Sequence, residues 1–330
     1  MNDRQPSTLV ATSASAWSLP RAEARISIGF SPGQVRITAI LTVAVCALLL
    51  WAAGLRVDPF AHSNIPYYAV LALGPALRAW CLRDARRWSL VLADIVEYYT
   101  LFMAMALVGA VSSYPIAAMS DGFADAGLQR VDELLQFDWL AWYRLVAAHR
   151  TLQLLGIAAY QSIFLTPALL LGWFALTGQR REAHRFLAAF GIAAVMTLAV
   201  YSQMPAVGPF SYLWHGPIPY MPVSELWQPD LIPQLRAHTL TVVDVGQLRG
   251  LVSAPSFHAA SATLYIAAAQ RCGPLRWWLT AIPCAMLLST PVEGTHYLID
   301  LILGAGIALI AWFFATLLMR RRVRKALAAG

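Results

Sequence analysis

Residues 301–319 read LILGAGIALIAWFFATLLM, a run without a single charged side chain. A helix of about 20 apolar residues spans the hydrocarbon core of a bilayer. Further charge-free stretches of similar length lie at residues 37–55, 98–116, 151–179, 186–203 and 277–292. The interior of a soluble domain cannot absorb so many apolar segments. The sequence therefore predicts an all-α, polytopic membrane helix bundle.

Composition supports the same fold class, because 59% of the residues are hydrophobic and only 12% are charged. Soluble domains contain about 25% charged residues. Two weaker apolar stretches, 65–81 and 251–270, bring the predicted number of transmembrane helices to about eight. Residues 1–35 lack the apolar core and cleavage site of a signal peptide, so we expect them to form a flexible cytoplasmic tail.

The net charge of +7 is interpreted as a topology signal and not as affinity for nucleic acid. Most Lys and Arg residues fall in every second segment between the predicted spans, and these segments lie on one side of the membrane. The positive-inside rule then places both termini in the cytoplasm of a multi-pass cell-membrane protein. The basic segment 321–330 is expected to form a cytoplasmic tail that attracts anionic lipids of the inner leaflet.

Two long segments, 112–150 and 204–250, then lie on the outer side. Residues 127–148 alternate apolar and charged side chains, which predicts one amphipathic surface helix, either for packing or for lipid contact. The second segment is rich in proline and predicts an irregular cap.

Two short motifs carry the candidate chemistry, S-A-P-S-F-H at 253–258 and G-T-H-Y-L-I-D at 294–300. Ionisable residues inside spans are costly and indicate function, and the predicted topology puts both motifs at the outer face. His296 and Asp300 are four residues apart, so on a helix they share a face and the carboxylate orients the imidazole. Such a histidine can attack phosphorus while His258 protonates the departing oxygen.

The candidate phosphate ligands surround these histidines in the sequence. Backbone N–H groups at a helix start bind anions, which points to Ser256 and Phe257 in the first motif and to Gly294 and Thr295 in the second. Arg249 can add the cation that a phosphoryl transition state requires.

Other interpretations stay open at this point. Each histidine taken singly is a packing residue more often than a catalyst, and Ser256 alone is an ordinary helix cap. A zinc site built from the histidines, Asp300 and Glu293 lacks the H-E-x-x-H and Cys-x-x-Cys patterns. A transporter or flippase could use the His/Asp cluster as a proton relay, and an inactive relative could retain the fold alone.

P-S-F-H followed roughly forty residues later by G-T-H-Y-L-I-D resembles the second and third signature motifs of the phosphatidic acid phosphatase type 2 superfamily. The similarity is greatest to the branch that contains inositol phosphorylceramide synthase. That branch also has a segment like L-L-Q-F-D-W at 134–139 and a turn like the one formed by Pro205, Gly208 and Pro209.

The resemblance implies a six-helix catalytic domain at residues 94–320, preceded by two additional transmembrane helices at 36–93. It also implies that His296 is the nucleophile, Asp300 its partner and His258 the general acid. It implies a substrate pocket beside the proline turn, and neither a metal nor a cofactor.

Two cations of the superfamily pattern are missing here. The first motif, Lys with Arg-Pro seven residues on, is absent because the sole lysine is Lys325, and Thr290 stands where the third motif usually has arginine. The loss favours an enzyme that moves a headgroup between lipids or cleaves a diester, with a membrane phospholipid or lipid phosphate as substrate. Arg249, Arg236 and Arg150 remain open as replacement cations, and the sequence names no protein partner.

Overall fold

The computed structural model describes residues 30–84 and 86–329, with side chains up to residue 322. Helices account for 75% of the structure. The described helices are α1 (Pro32–Ala52), α2 (Ile65–Cys81), α3 (Arg87–Ala118), α4 (Asp125–Leu134), α5 (Trp139–Ala148), α6 (Arg150–Leu176), α7 (Arg180–Tyr201), α8 (Pro209–Leu213), α9 (Gln228–Arg236), α10 (Phe257–Ala269), α11 (Arg276–Glu293) and α12 (Leu298–Ala329). Short 3-10 turns occupy His62–Asn64, Val245–Gln247 and Gly273–Leu275, and strands β1 (Arg56–Val57) and β2 (Val242–Val243) form a two-residue parallel pair.

The predicted all-α membrane protein is confirmed at this level, since every predicted apolar stretch overlaps a helix: α1, α2, α3, α6, α7, α10, α11 or α12. Among the described helices, α1, α3, α6, α7 and α12 are long and apolar enough to cross a membrane. Helix α2 has 17 residues and α10 only 13. The count of eight crossings and the six-helix core therefore stay predictions.

The helix boundaries differ slightly from the predicted tails. Helix α1 begins at Pro32 because Ser31 and Gln34 form a reciprocal cap, with the Gln34 N–H donating to Ser31 Oγ at 3.3 Å. Residues 32–35 of the predicted tail are thus helical, whereas residues 1–29 lie outside the described part of the chain. At the other end, α12 continues through Ala329 and includes most of the predicted basic tail.

Helix α10 lies at the centre of the bundle, in contact with α6, α7, α11 and α12. Small side chains make this position possible, because they let neighbouring helices approach closely. The alanines buried along α10 are Ala259, Ala260, Ala262, Ala268 and Ala269. Gly304 of α12 also allows this close approach, since a Cβ there would overlap the Ser256 carbonyl oxygen at the start of α10.

Buried charges at the end of the bundle opposite the start of α10 are paired with one another. Arg180, which begins α7, contacts Asp94 at 2.8 Å and Glu97 at 2.7 Å on α3. Arg78 of α2 adds a contact of 2.8 Å to Glu97. Breaking such a pair leaves an uncompensated buried charge, so this network fixes α2, α3 and α7 relative to one another.

The predicted amphipathic helix at 127–148 is wrong as a single element, because the chain forms α4 and α5 there. The break follows from Gln136, whose φ of 57° is incompatible with an α-helix. Asp138 then starts α5 by accepting from the Ala141 N–H at 2.9 Å. Trp139 is buried and donates from its indole N–H to the Pro291 carbonyl at 2.7 Å, so α5 packs against α11.

Replacement of Gly304 by Ala should lower the free energy of unfolding by about 1–3 kcal/mol, the usual range for overpacking. The matched control is Gly306→Ala on the same helix, where a Cβ meets nothing within 4 Å. This control should be neutral or slightly stabilising because Ala favours helix more than Gly does. Thermal unfolding of the purified proteins in detergent measures both effects, and equal midpoints for the two variants would contradict the close α10–α12 contact.

Candidate active site

The two sequence motifs meet where α10 and α12 begin side by side. Ser256 is the N-cap of α10, and its Oγ accepts from the Ala259 N–H at 3.3 Å. Its own backbone N–H donates to the Asp300 carbonyl in the first turn of α12, at 3.0 Å. A direct main-chain hydrogen bond therefore joins the P-S-F-H motif to the H-Y-x-x-D motif.

His296 lies in the turn between α11 and α12 and not on a helix, since α12 begins at Leu298. The expectation that His296 and Asp300 share one helix face is therefore wrong. The turn nevertheless leaves His296 Nδ1 3.6 Å from Asp300 Oδ2, which is ion-pair range but too long for a hydrogen bond. The same Oδ2 accepts from the Tyr297 N–H at 3.0 Å, so Asp300 stabilises the turn that presents the imidazole.

His258 faces His296 across a narrow gap, with 6.5 Å between the ring centroids. Tyr160 of α6 holds His258 from the other side. Its ring stacks on the imidazole with centroids 4.1 Å apart, and its hydroxyl shares a hydrogen bond of 3.3 Å with His258 Nδ1. The structure thus brings the two predicted histidines together, and it adds a tyrosine that the sequence pattern did not single out.

Several buried polar atoms near this gap lack a hydrogen-bond partner among the described residues. They are His296 Nδ1, Asp300 Oδ1 and Ser253 Oγ. The side chain of His296 is 4% exposed and that of Asp300 is fully buried. Buried polar groups are nearly always paired. His296 Nδ1 faces the Asp300 carboxylate at 3.6 Å, whereas Asp300 Oδ1 and Ser253 Oγ are the polar atoms left unpaired among the described residues beside the two motifs.

The proline turn packs directly on the segment that carries His296. Gly208 has a φ of +90°, and a Cβ there would lie 2.7 Å from the Thr295 carbonyl oxygen. Thr295 itself has a φ of 51°, a strained value for a β-branched residue. Pro205 and Pro209 are buried beside Gly208, so the predicted substrate-pocket turn and the second motif form one surface.

Residues 126–314 match a family model described as the PAP2 superfamily, which covers more than half of the chain and includes both motifs. The chain belongs to the PAP2 superfamily. No curated protein and no solved structure matches it. Membership in this superfamily indicates a membrane phosphatase-like or phosphotransferase-like function.

Asp132 of α4 adjoins the candidate site, although no motif in the sequence singles it out. Its carboxylate is buried and accepts from the Leu298 N–H at 2.7 Å and the Ile299 N–H at 2.9 Å. These are the first N–H groups of α12, which have no partner within the helix. Burial raises the pKa of Asp132, while the two backbone donors act in the opposite direction.

Asp125, on the same helix as Asp132, holds the proline turn. It accepts from the Gly208 N–H at 2.9 Å and from the Tyr297 hydroxyl at 3.0 Å. Asp125 and Asp132 are seven residues apart, two turns of one helix, so they lie on the same face. That spacing was a usable signal in the sequence.

From the sequence, Glu293 is a candidate only for a zinc site. In the structure its carboxylate holds the segment 204–250 in place. It accepts from the Tyr220 hydroxyl at 2.8 Å and from the Val223 N–H at 3.2 Å. These hydrogen bonds connect segment 204–250 to the end of α11. Among the described residues, no cluster of three or more His, Cys, Asp or Glu side chains has metal-binding geometry.

The remaining predicted phosphate ligands occupy different positions. The ring of Phe257 packs edge-on against Phe190 at 5.3 Å, so only its backbone N–H is available to an anion. Arg249 donates its backbone N–H to the Tyr114 hydroxyl at 2.8 Å. Its guanidinium lies 4.0 Å from the centre of the Trp227 ring.

The other candidate cations differ in their partners. Arg236 donates from Nη2 to Ser120 Oγ at 3.0 Å and to the Gly122 carbonyl at 2.8 Å. Arg150 is exposed and contacts Gln153 at 3.2 Å. Arg236 is thus occupied in joining α9 to the end of α3.

Replacement of Asp132 by Ala should destabilise the protein by about 1–2 kcal/mol, because it leaves two N–H groups at a buried helix start unpaired. Asp132→Asn retains one acceptor oxygen and should have a smaller effect. Glu133→Ala is the matched control, since Glu133 is exposed on the same turn. Denaturant unfolding compares the three proteins, and an Asp132→Ala variant as stable as Glu133→Ala would refute the capping role.

Proposed function

We propose that the protein transfers a phosphate-bearing headgroup between membrane lipids, or cleaves a lipid phosphoester, through a phosphohistidine intermediate. One observation carries the proposal: His258 and His296 face each other 6.5 Å apart at two helix starts that are hydrogen-bonded together. Two imidazoles around one gap suit a nucleophile on one side of a phosphorus atom and a proton donor on the other.

In the first step, His296 Nε2 attacks the phosphorus of the donor lipid. The new N–P bond forms as the P–O bond to the departing lipid alcohol breaks, and the protonated His258 gives that oxygen its proton. Asp300 lies behind His296 Nδ1 at 3.6 Å and stabilises the positive charge that develops on the imidazole.

In the second step, His258 is neutral and accepts the proton of an incoming hydroxyl. That oxygen attacks phosphorus, the N–P bond breaks and His296 leaves as a neutral imidazole. A lipid hydroxyl gives headgroup transfer, whereas water gives hydrolysis, so the identity of the acceptor decides between the two reactions.

The phosphate oxygens are held by the start of α10. The N–H groups of Phe257 and His258 are in the first turn, where a helix has free donors and a positive dipole end. The Ser256 hydroxyl can still donate its hydrogen, and Gly294 and Thr295 border the gap from the second motif.

Headgroup transfer, as in the branch that contains inositol phosphorylceramide synthase, is favoured over phosphomonoester hydrolysis. A phosphomonoester carries more negative charge than a diester and calls for more cations. Thr290 occupies the position of a family arginine, and its buried hydroxyl donates to the Met286 carbonyl of its own helix at 2.6 Å. No cation acts from that position.

The site faces the exterior of the cell membrane in this proposal, with both termini in the cytoplasm. The distribution of arginines supports that orientation. The substrate is a membrane phospholipid or lipid phosphate drawn from the outer leaflet.

Replacement of His296 by Ala should abolish release or transfer of a labelled phosphate headgroup, and Asp300→Asn should reduce it strongly. The matched control is His215→Ala, because His215 is exposed in the cap. The measurement uses purified protein with radiolabelled phospholipid, followed by recovery of acid-labile label on the chain. The label should appear in the wild type and the control and be absent from His296→Ala.

Full activity in both His296→Ala and Asp300→Asn would end the proposal. Uptake of a substrate into liposomes without headgroup release would instead indicate a transporter with a proton relay. Absence of both turnover and trapped phosphohistidine in the wild type, across a panel of phospholipids, would indicate an inactive relative.

Arg249 is the proposed replacement cation. No described carboxylate forms an ion pair with it, and it lies on Trp227 in the segment that leads to α10. Arg249→Gln should lower kcat/KM by about 10²–10³, the usual cost of one stabilising donor. Arg236→Gln is the control, and an equal loss in both variants would show that the effect is structural.

A further inference from the structure

A charged cavity of about 450 Å³ lies at the end of the bundle opposite the histidines. Arg181 and Arg185 line it from the start of α7, and Arg320 lines it from the far end of α12. Arg320 follows Asp300 by 20 residues, which is about 30 Å along a helix. This distance equals the thickness of a hydrocarbon core, so the cavity and the candidate active site belong to opposite membrane surfaces.

The cavity carries an excess of positive charge. Arg271, from the segment between α10 and α11, is the fourth lining arginine, and Glu182 is the only lining acid among the described residues. Arg185 Nη2 lies 2.5 Å from Glu182 Oε2, while Arg271 Nε is 3.8 Å from the same oxygen. One carboxylate cannot neutralise four guanidinium groups.

The inner wall of the cavity is formed by arginine side chains with buried donors. The side chain of Arg185 is only 6% exposed, and its guanidinium stacks 4.2 Å from the centre of the Trp312 ring. Arg185 Nε and Arg181 Nε are buried without a hydrogen-bond partner among the described residues. Buried donors of this kind are normally paired, and arginine binds phosphate through just such N–H groups.

The outer wall of the cavity is apolar. Leu309, Trp312, Phe313 and Thr316 lie along one face of α12, and Leu309 and Phe313 are 61% and 59% exposed. Leu309 is 11 residues from Arg320, or about 16 Å along the helix. Half of a hydrocarbon core is about 15 Å, so the distance from Arg320 to the far end of this apolar strip matches the depth of one leaflet.

We propose that this cavity binds the phosphate of an anionic phospholipid in the leaflet at that end, with an acyl chain along the apolar strip of α12. Basic pockets between membrane helices suit such headgroups. A free phosphate ion would use the arginines but not the apolar strip, so the combination favours a lipid. The bound lipid joins α7, α12 and the α10–α11 segment, and this site is independent of the catalytic proposal.

The test uses the full chain in nonionic detergent, titrated with phosphatidylglycerol and in parallel with phosphatidylcholine, with bound lipid counted by native mass spectrometry. Phosphatidylglycerol should bind saturably and more tightly than phosphatidylcholine. Arg271→Gln combined with Arg320→Gln should weaken binding of phosphatidylglycerol about 25-fold, since each basic residue near a membrane surface contributes about fivefold. Both side chains are exposed, so the double variant should fold, and an unchanged unfolding midpoint without lipid checks this.

The control combines Arg276→Gln with Arg321→Gln, which removes the same charge from neighbouring positions outside the cavity. It should weaken the binding of phosphatidylglycerol much less than the first pair does, because neither side chain lines the cavity. A loss equal to that of the first pair, or no preference for phosphatidylglycerol, would overturn the site. Inorganic phosphate and glycerol phosphate are added in a further arm, and protection against thermal unfolding as strong as that given by the lipid would identify a site for soluble anions instead.

Discussion

The start of α12 is the point on which the candidate site depends. The first N–H groups of a helix have no partner within the helix, and backbone N–H groups in a folded protein need a partner. Asp132 accepts from two of these groups, and the Asp300 carboxylate accepts from the Tyr297 N–H. The Asp300 carbonyl then takes the Ser256 N–H. The hydrogen bonds that pair the N–H groups at the start of α12 therefore also fix the position of the start of α10.

The starts of α10 and α12 have different roles. Carboxylates already neutralise the positive end of α12, so this helix holds the turn that presents His296. The start of α10 is capped by the Ser256 oxygen, which accepts from the Ala259 N–H. The two N–H groups before it remain available to an anion. Asp125 and Glu293 extend the network outward, because they tie the cap segment to the same turn.

Two groups of charged side chains lie at opposite ends of the bundle, in keeping with the cost of burying ions in hydrocarbon. At one end, acidic side chains cap helices and support the histidines. At the other, Arg180 forms ion pairs with Asp94 and Glu97, whereas Arg181 and Arg185 border an open cavity. Neighbouring arginines on one helix thus have different partners, because successive side chains point in directions about 100° apart.

The sequence by itself determined the fold class, the placement of the apolar helices and the pairing of His258 with His296. Those features follow from local patterns: hydropathy over about 20 residues and motifs at the ends of two spans. Only the tertiary structure decided that His296 precedes α12, that residues 127–148 form two helices, and that Tyr160 and Asp132 belong to the site. The spacing of Asp125 and Asp132 indicates one shared helix face, but it does not reveal their partners. Asp132 contacts Leu298 across 166 residues of chain, and packing and the pairing of buried polar groups select contacts so distant.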